Sequence, residues 1–300
     1  MNLDSKAFEF APVALQRIAE AGVPKVITGP QASLIGFNAK YRGYFTPRGQ
    51  MAAGFACRIM HLADRPYLFG LARNALLLPL AHTKLSGLME SQVPPALNFF
   101  VLKDSDCLDA QSFYLAALRT AQNVIGKLDS NQEVAAKAAA SYLNFHKEEL
   151  LKADARFTNR LLFAALALWD SSILDLALGM QMANGALEND TDYHATCMNL
   201  LFDAVQLGTS SREIKESLIN AAAWLYAKVK PTGEFDRTGD TRTAGAETIF
   251  DETKIFNPGN PWRALVYSYA FLSEMSPESA KDMASAAKRV WKFYGSGDMR

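Results

Sequence analysis

The chain has 300 residues, 49% of them hydrophobic, with 31 Lys+Arg balanced by 31 Asp+Glu. That content is enough for a sizeable core and excludes wholesale disorder; zero net charge argues against a dedicated nucleic-acid binder, which carries a basic excess. The three cysteines, Cys57, Cys107 and Cys197, have no CxxC or Cys/His spacing, so neither a zinc site nor a disulfide framework is indicated.

Along the chain the pattern is helical. The opening "MNLDSKAFEFAPVALQRIAEAG" lacks a basic region followed by an apolar one and is not read as a signal peptide. A cytoplasmic location is the default, and a periplasmic or secreted one follows if an upstream signal has been removed. No membrane span is expected, because the richest apolar stretch, "LFGLARNALLLPLA", is broken by Arg73, Asn74 and Pro79. Helices are expected at 10–21, 47–62, 66–82, 109–127, 131–152, 156–168, 171–186, 193–207, 211–229, 261–274 and 277–293. Their entries are marked by Thr46-Pro47, Asn260-Pro261 and Ser276-Pro277, and by capping boxes at Ser130/Glu133 and Ser210/Glu213. In each, a side-chain oxygen can accept from unpaired N–H groups, and a proline has no N–H to leave unpaired. "PKVITG" at 24–29 is the only strand-like candidate. Segments 24–46 and 230–260 are too long for simple connections, and 233–260 reads as a lid or insertion.

Small residues on several faces ("AAKAAASYL", "LLFAALALWD", "NAAAWLYAK") suit closely packed helical hairpins. The expected fold is all-α, one domain over 1–300, arranged as an incomplete α/α toroid. A solenoid or an irregular bundle satisfies the same pattern.

No HExxH, GxSxG, phosphate-binding or dinucleotide-binding motif occurs, which removes several enzyme classes, and no metal site is expected. Asp170 reads as a cap between two helices. His194, in "ENDTDYHATCMNLLFDAVQLG", stands in the first turn of a helix, where it faces a cleft or merely starts the helix. "KPTGEFDRTGDTRT" carries Arg237 and Arg242, and "PWRALVYSYAF" sets Arg263 and Tyr267 four residues apart on one helical face. An arginine can hold a carboxylate in a fork, and its charge makes a neighbouring phenol more acidic. The same pair is equally an interfacial tyrosine beside a snorkelling arginine.

The succession "YHATCMNLLFDAVQLG", "PTGEF", "RALVYSYAFL", over 193–272, resembles the C-terminal part of alginate-lyase-type polysaccharide lyases. That family's motif is Asn-His opening an inner helix, a "DGxxP" turn, and "R-A-L-x-Y" on the last inner helix. His194 falls on the motif histidine, Gly233 on the turn, and Arg263, Ala264, Leu265 and Tyr267 on the last element. Tyr193 replaces the asparagine, the segment between turn and last element is longer, and Arg242 is the nearest counterpart of the family's additional arginine.

The resemblance implies an α/α toroid cleaving an acidic, uronic-acid-containing polysaccharide by β-elimination, without a cofactor. Arg263 or Arg242, helped by His194, would hold the sugar carboxylate. Tyr267, as phenolate or through His194, would take the C5 proton, and a tyrosine would protonate the leaving oxygen. Tyr193 and Trp262 would line sugar subsites, with Phe235 a further aromatic candidate. The partner expected is this polysaccharide or its oligosaccharides, with no nucleic acid and no membrane. A glycoside hydrolase using two carboxylates from Asp192, Asp203, Glu234 or Asp236 is an alternative. So is a non-catalytic helical binding or assembly protein, which predicts that His194 and Tyr267 are buried or far apart.

Overall fold

The computed structural model describes residues 2–22, 25–26, 35–36, 47–77, 104–151, 158–209, 211–240, 256 and 258–295. The architecture is helical, with one two-residue antiparallel pairing, Lys25–Val26 (β1) with Ile35–Gly36 (β2). The chain forms two compact units, one drawn from Met1–Ile18, Asp154–Leu162 and Asp175–Arg300, the other from Ala19–Ala153 and Phe163–Leu174.

In the first unit, α1 (Leu3–Phe10) packs on α12 (Gly259–Leu272), which also touches α10 (Thr191–Gln206), α11 (Arg212–Ala227) and α13 (Pro277–Tyr294). Helix α12 is therefore central, and its sequence fits that place. Apart from Asn260, Arg263 and Tyr269 it is buried throughout, as expected of a helix that is apolar nearly all round. Helix α13 instead buries Ala280, Met283, Ala286, Ala287 and Val290, a stripe at helical spacing with charges opposite. Helix α11 does the same with Ile214, Ser217, Leu218, Ala221, Ala222 and Leu225. Helix α1 is pinned by its end: the Leu3 and Asp4 N–H groups donate to Gln206 Oε1, and Lys6 pairs with Glu274.

The second unit is built on α3 (Pro47–Leu62), which packs on α4 (Pro66–Leu77) and α5 (Asp104–Ile125), followed by α6 (Ser130–Phe145) and α7 (Lys147–Leu151). Close approach of α3 to α5 requires Gly54, where a Cβ would lie 2.7 Å from Thr120 Oγ1 and 2.9 Å from the Ala117 carbonyl oxygen. Phe113 and Phe163 meet edge to face at 4.0 Å. Buried Cys57 has its thiol pushed up to about 12, by burial first, with Arg73 opposing. Such a thiol is inert at neutral pH.

Helix α8 (Thr158–Leu168) ends at Trp169, whose φ is +57°, and α9 (Ser171–Gly179) follows. Asp170 caps α9 as expected, accepting from the Ser172 and Ile173 N–H groups and from Lys147 at 2.5 Å. These bonds hold its carboxyl down at about 2 against the effect of burial.

Other caps differ in detail. The box at α6 is made by Asp129 with Gln132, one residue before the expected Ser130/Glu133. Ser211 caps α11 through the Ile214 N–H, and Ser210 lies outside the described residues. Helix α12 starts at Gly259 with no side-chain cap. Ser276 precedes Pro277 as expected, but its hydroxyl donates to Ser279 Oγ rather than capping a backbone N–H. Among the described residues no helix is long and apolar enough to cross a membrane.

Candidate functional site

Helix α10 opens at Asp190, whose carboxylate accepts from the Asp192 and Tyr193 N–H groups at 3.0 and 3.2 Å. One turn in, His194 points into the packing between α10 and α11 and has no exposure. The Leu187 N–H donates to Nδ1 at 3.1 Å, so the proton sits on Nε2, which donates to the Ala221 carbonyl at 3.1 Å. The Trp224 ring lies 4.3 Å from the imidazole. Burial, the larger cause, and the charge of Lys228 bring the ring down to about 3, against the opposing bond to Ala221. His194 is thus neutral at ordinary pH. It ties the loop before α10 to α11.

Arg263 and Tyr267 do share a face of α12, the guanidinium carbon lying 5.2 Å from the Tyr267 ring centre. That face is turned inward. Tyr267 has no exposure, and its hydroxyl donates to Asp4 Oδ1 of α1 at 2.5 Å. Arg263 donates to Asp203 Oδ1 of α10 at 2.8 Å, with 12% and 2% of the two side chains exposed. Its guanidinium already pairs with a carboxylate from the protein itself, through Nη2.

The expected convergence on a common cleft is absent among the described residues. His194 faces α11, whereas Tyr267 packs near Phe202, at 6.0 Å between rings. Phe202 lies about 12 Å further along α10 from His194, given the rise per residue. The physical reason is that α10 and α12 are buried helices, so their polar side chains are matched inside the protein rather than presented to a substrate.

Trp262, expected to line a sugar subsite, is 1% exposed. It donates through Nε1 to the Ala287 carbonyl at 3.0 Å and packs against Trp291. Tyr193 is half-buried. Phe235 is buried against Phe256 and Tyr294. Arg242, and 241–255 of the expected lid 233–260, lie outside the described residues.

The described start of that segment is fastened down. Val229 bridges Phe235, the Phe235 N–H donates to the Tyr294 hydroxyl at 3.2 Å, and Asp240 accepts from the Thr191 N–H and hydroxyl at 3.1 and 2.9 Å. Burial raises the Asp240 carboxyl, and the nearby Asp190 adds to this.

Two residues that organise this region carry another reading, or none, in the sequence. Asn260, expected as a helix cap, donates instead to Asp192 Oδ1 and Thr196 Oγ1, each at 2.8 Å, and accepts from Asn199 at 2.8 Å. It joins α12 to α10. Asp4 carries no local motif, and only its long-range bond to Tyr267 reveals it. No protein-family model, curated protein or solved structure matches the chain.

Proposed function

We propose that this chain is a non-catalytic helical binding or assembly protein, in which His194, Arg263 and Tyr267 hold the framework together. The observation that carries the reading is the complete burial of His194 and Tyr267, with both imidazole nitrogens and the phenol hydroxyl engaged by protein groups. A general acid or base must come within hydrogen-bond reach of substrate, and these groups reach only the protein.

A second reading retains an acidic-polysaccharide lyase on an incomplete α/α toroid. It is favoured by the approach of Arg263 to Tyr267 and by the packing of α10 to α13 as a run of neighbouring helices. It requires α1 to leave α12, because Asp4 holds the phenol. The hydrolase alternative is weaker still: Asp203 is 2% exposed and paired with Arg263, and Asp192 is bonded to Asn260.

The test is incubation of the purified chain with alginate and with polygalacturonate. No rise in the ultraviolet absorbance of a C4–C5 double bond and no new reducing ends are expected. A rise abolished in a folded Tyr267→Phe variant would overturn the binding reading in favour of the lyase.

A further inference from the structure

The turn after α11 is pressed closely against α13 at Gly233. Gly233 has φ +94°, and a Cβ there would lie 2.2 Å from the Arg289 carbonyl oxygen, so only glycine permits this approach. The turn is closed by the Gly233 N–H donating to the Lys230 carbonyl and the Lys230 N–H to the Glu234 carbonyl, both at 2.9 Å. Beside this contact an open hollow of about 480 Å³ is lined by Tyr226, Ala227, Val229, Pro231 and Arg289. Its walls belong to the end of α11, the fastened turn and α13, all of which are held by backbone bonds. Its size is in the range of small-molecule sites.

Arg289 is the charged group of this hollow. A guanidinium has five N–H donors. Here Nη1 donates to Ser285 Oγ at 2.9 Å on its own helix, at the exposed end of the guanidinium, while Nε is buried. Arg263 differs in pairing with a carboxylate, Asp203, through Nη2 at 2.8 Å, whereas Arg289 has no carboxylate within pairing distance among the described residues. Lys292 follows Arg289 one turn later on the same face of α13. The acids of that helix, Glu278 and Asp282, lie nearly two turns or more toward its other end, and Glu234 of the turn is paired with Lys230 at 2.9 Å. The ring of Tyr226 and the flat face of Pro231 supply apolar surface beside the charge.

We propose that this hollow binds a small organic carboxylate, its charge taken by Arg289 and its flat body lying against Tyr226 and Pro231. The proposal rests on the binding reading and names the ligand class and the site. An arginine can hold a carboxylate by donating two parallel N–H···O bonds.

The probe is benzoate, titrated into the full chain and followed by amide chemical shifts, with neutral benzamide as the control. Saturable shifts are expected within 226–233 and 285–292, weakening when salt is raised from about 0.05 to about 0.5 M. In Arg289→Gln, affinity should fall at least about tenfold, the scale of a charged hydrogen bond. Arg289→Lys should retain part of it, because the charge remains without the fork. Equal binding of benzamide, unchanged binding in a folded Arg289→Gln variant, or no shifts with benzoate would each overturn the site. None of those outcomes touches the polysaccharide assay, and a positive polysaccharide assay would overturn the non-catalytic reading without deciding whether benzoate binds, so the two failures are distinguishable.

Discussion

Helices α10 and α12 and helices α11 and α13 carry similar polar residues to opposite ends. In the first pair, His194, Asn199, Asp203 and Tyr267 are buried, and Arg263 nearly so. Each makes a polar contact within the protein: with a carbonyl, a carboxylate, an amide or a guanidinium. In the second pair one stripe is buried and the polar residues face outward, so Arg212 pairs with Glu216 and Arg289 bonds to Ser285, each within its own helix. A side chain's chemistry is the same in both places. Burial decides whether its partner comes from another helix, as for Arg263 and Asp203, or from its own, as for Arg289 and Ser285.

Breaking the buried pair should cost most. Asp203→Ala would strand the Arg263 charge at 12% exposure, and a loss of about 4 kcal/mol is expected in urea unfolding, the scale for removing one partner of a buried ion pair. A loss below about 1 kcal/mol would place that pair with the surface bridges instead.

The imidazole gives the next effect. His194 in the folded chain is brought down to about 3, while an unfolded histidine titrates near about 6.5, so the unfolded state binds the extra proton between those values. Stability from this group is therefore present above about pH 6.5 and is lost as pH falls toward about 3. The loss amounts to about 2 kcal/mol between about pH 7 and 5. His194→Gln should flatten that part of the pH profile, measured as the unfolding midpoint against pH.

Tyr267→Phe should be milder. It removes one hydrogen bond to the buried Asp4 carboxylate, worth about 1.5 kcal/mol at the low end for a charged acceptor, and leaves the ring packing intact. Arg289→Gln should be smallest, leaving the midpoint unchanged within error. That outcome would sharpen the contrast, since the same substitution is expected to weaken benzoate binding.

Helix positions are largely legible because period and punctuation are local properties. Pro47, Ser171 and Pro277 begin helices where the sequence places them. The cap at Asp129 rather than Ser130 is hidden because adjacent residues both have suitable oxygens, and only the entry angle of the chain selects one. The N-terminal pattern reads as one helix over 10–21, but Ala11 separates α1 from α2 (Pro12–Gly22). Helix α1 has only Leu3, Asp4 and Ala7 buried, too short a signal to read alone, and tertiary docking stabilises it.

The sequence by itself determined that the chain is helical, where most helices begin, and that Arg263 and Tyr267 stand side by side, because spacing along a helix fixes which residues share a face. Only the tertiary structure decided which way that face turns. Rotation of a helix about its axis is set by the packing of its neighbours, and here α1, α10, α11 and α13 enclose α12. Two residues from distant segments, Asp4 and Asp203, meet the phenol and the charge inside the fold.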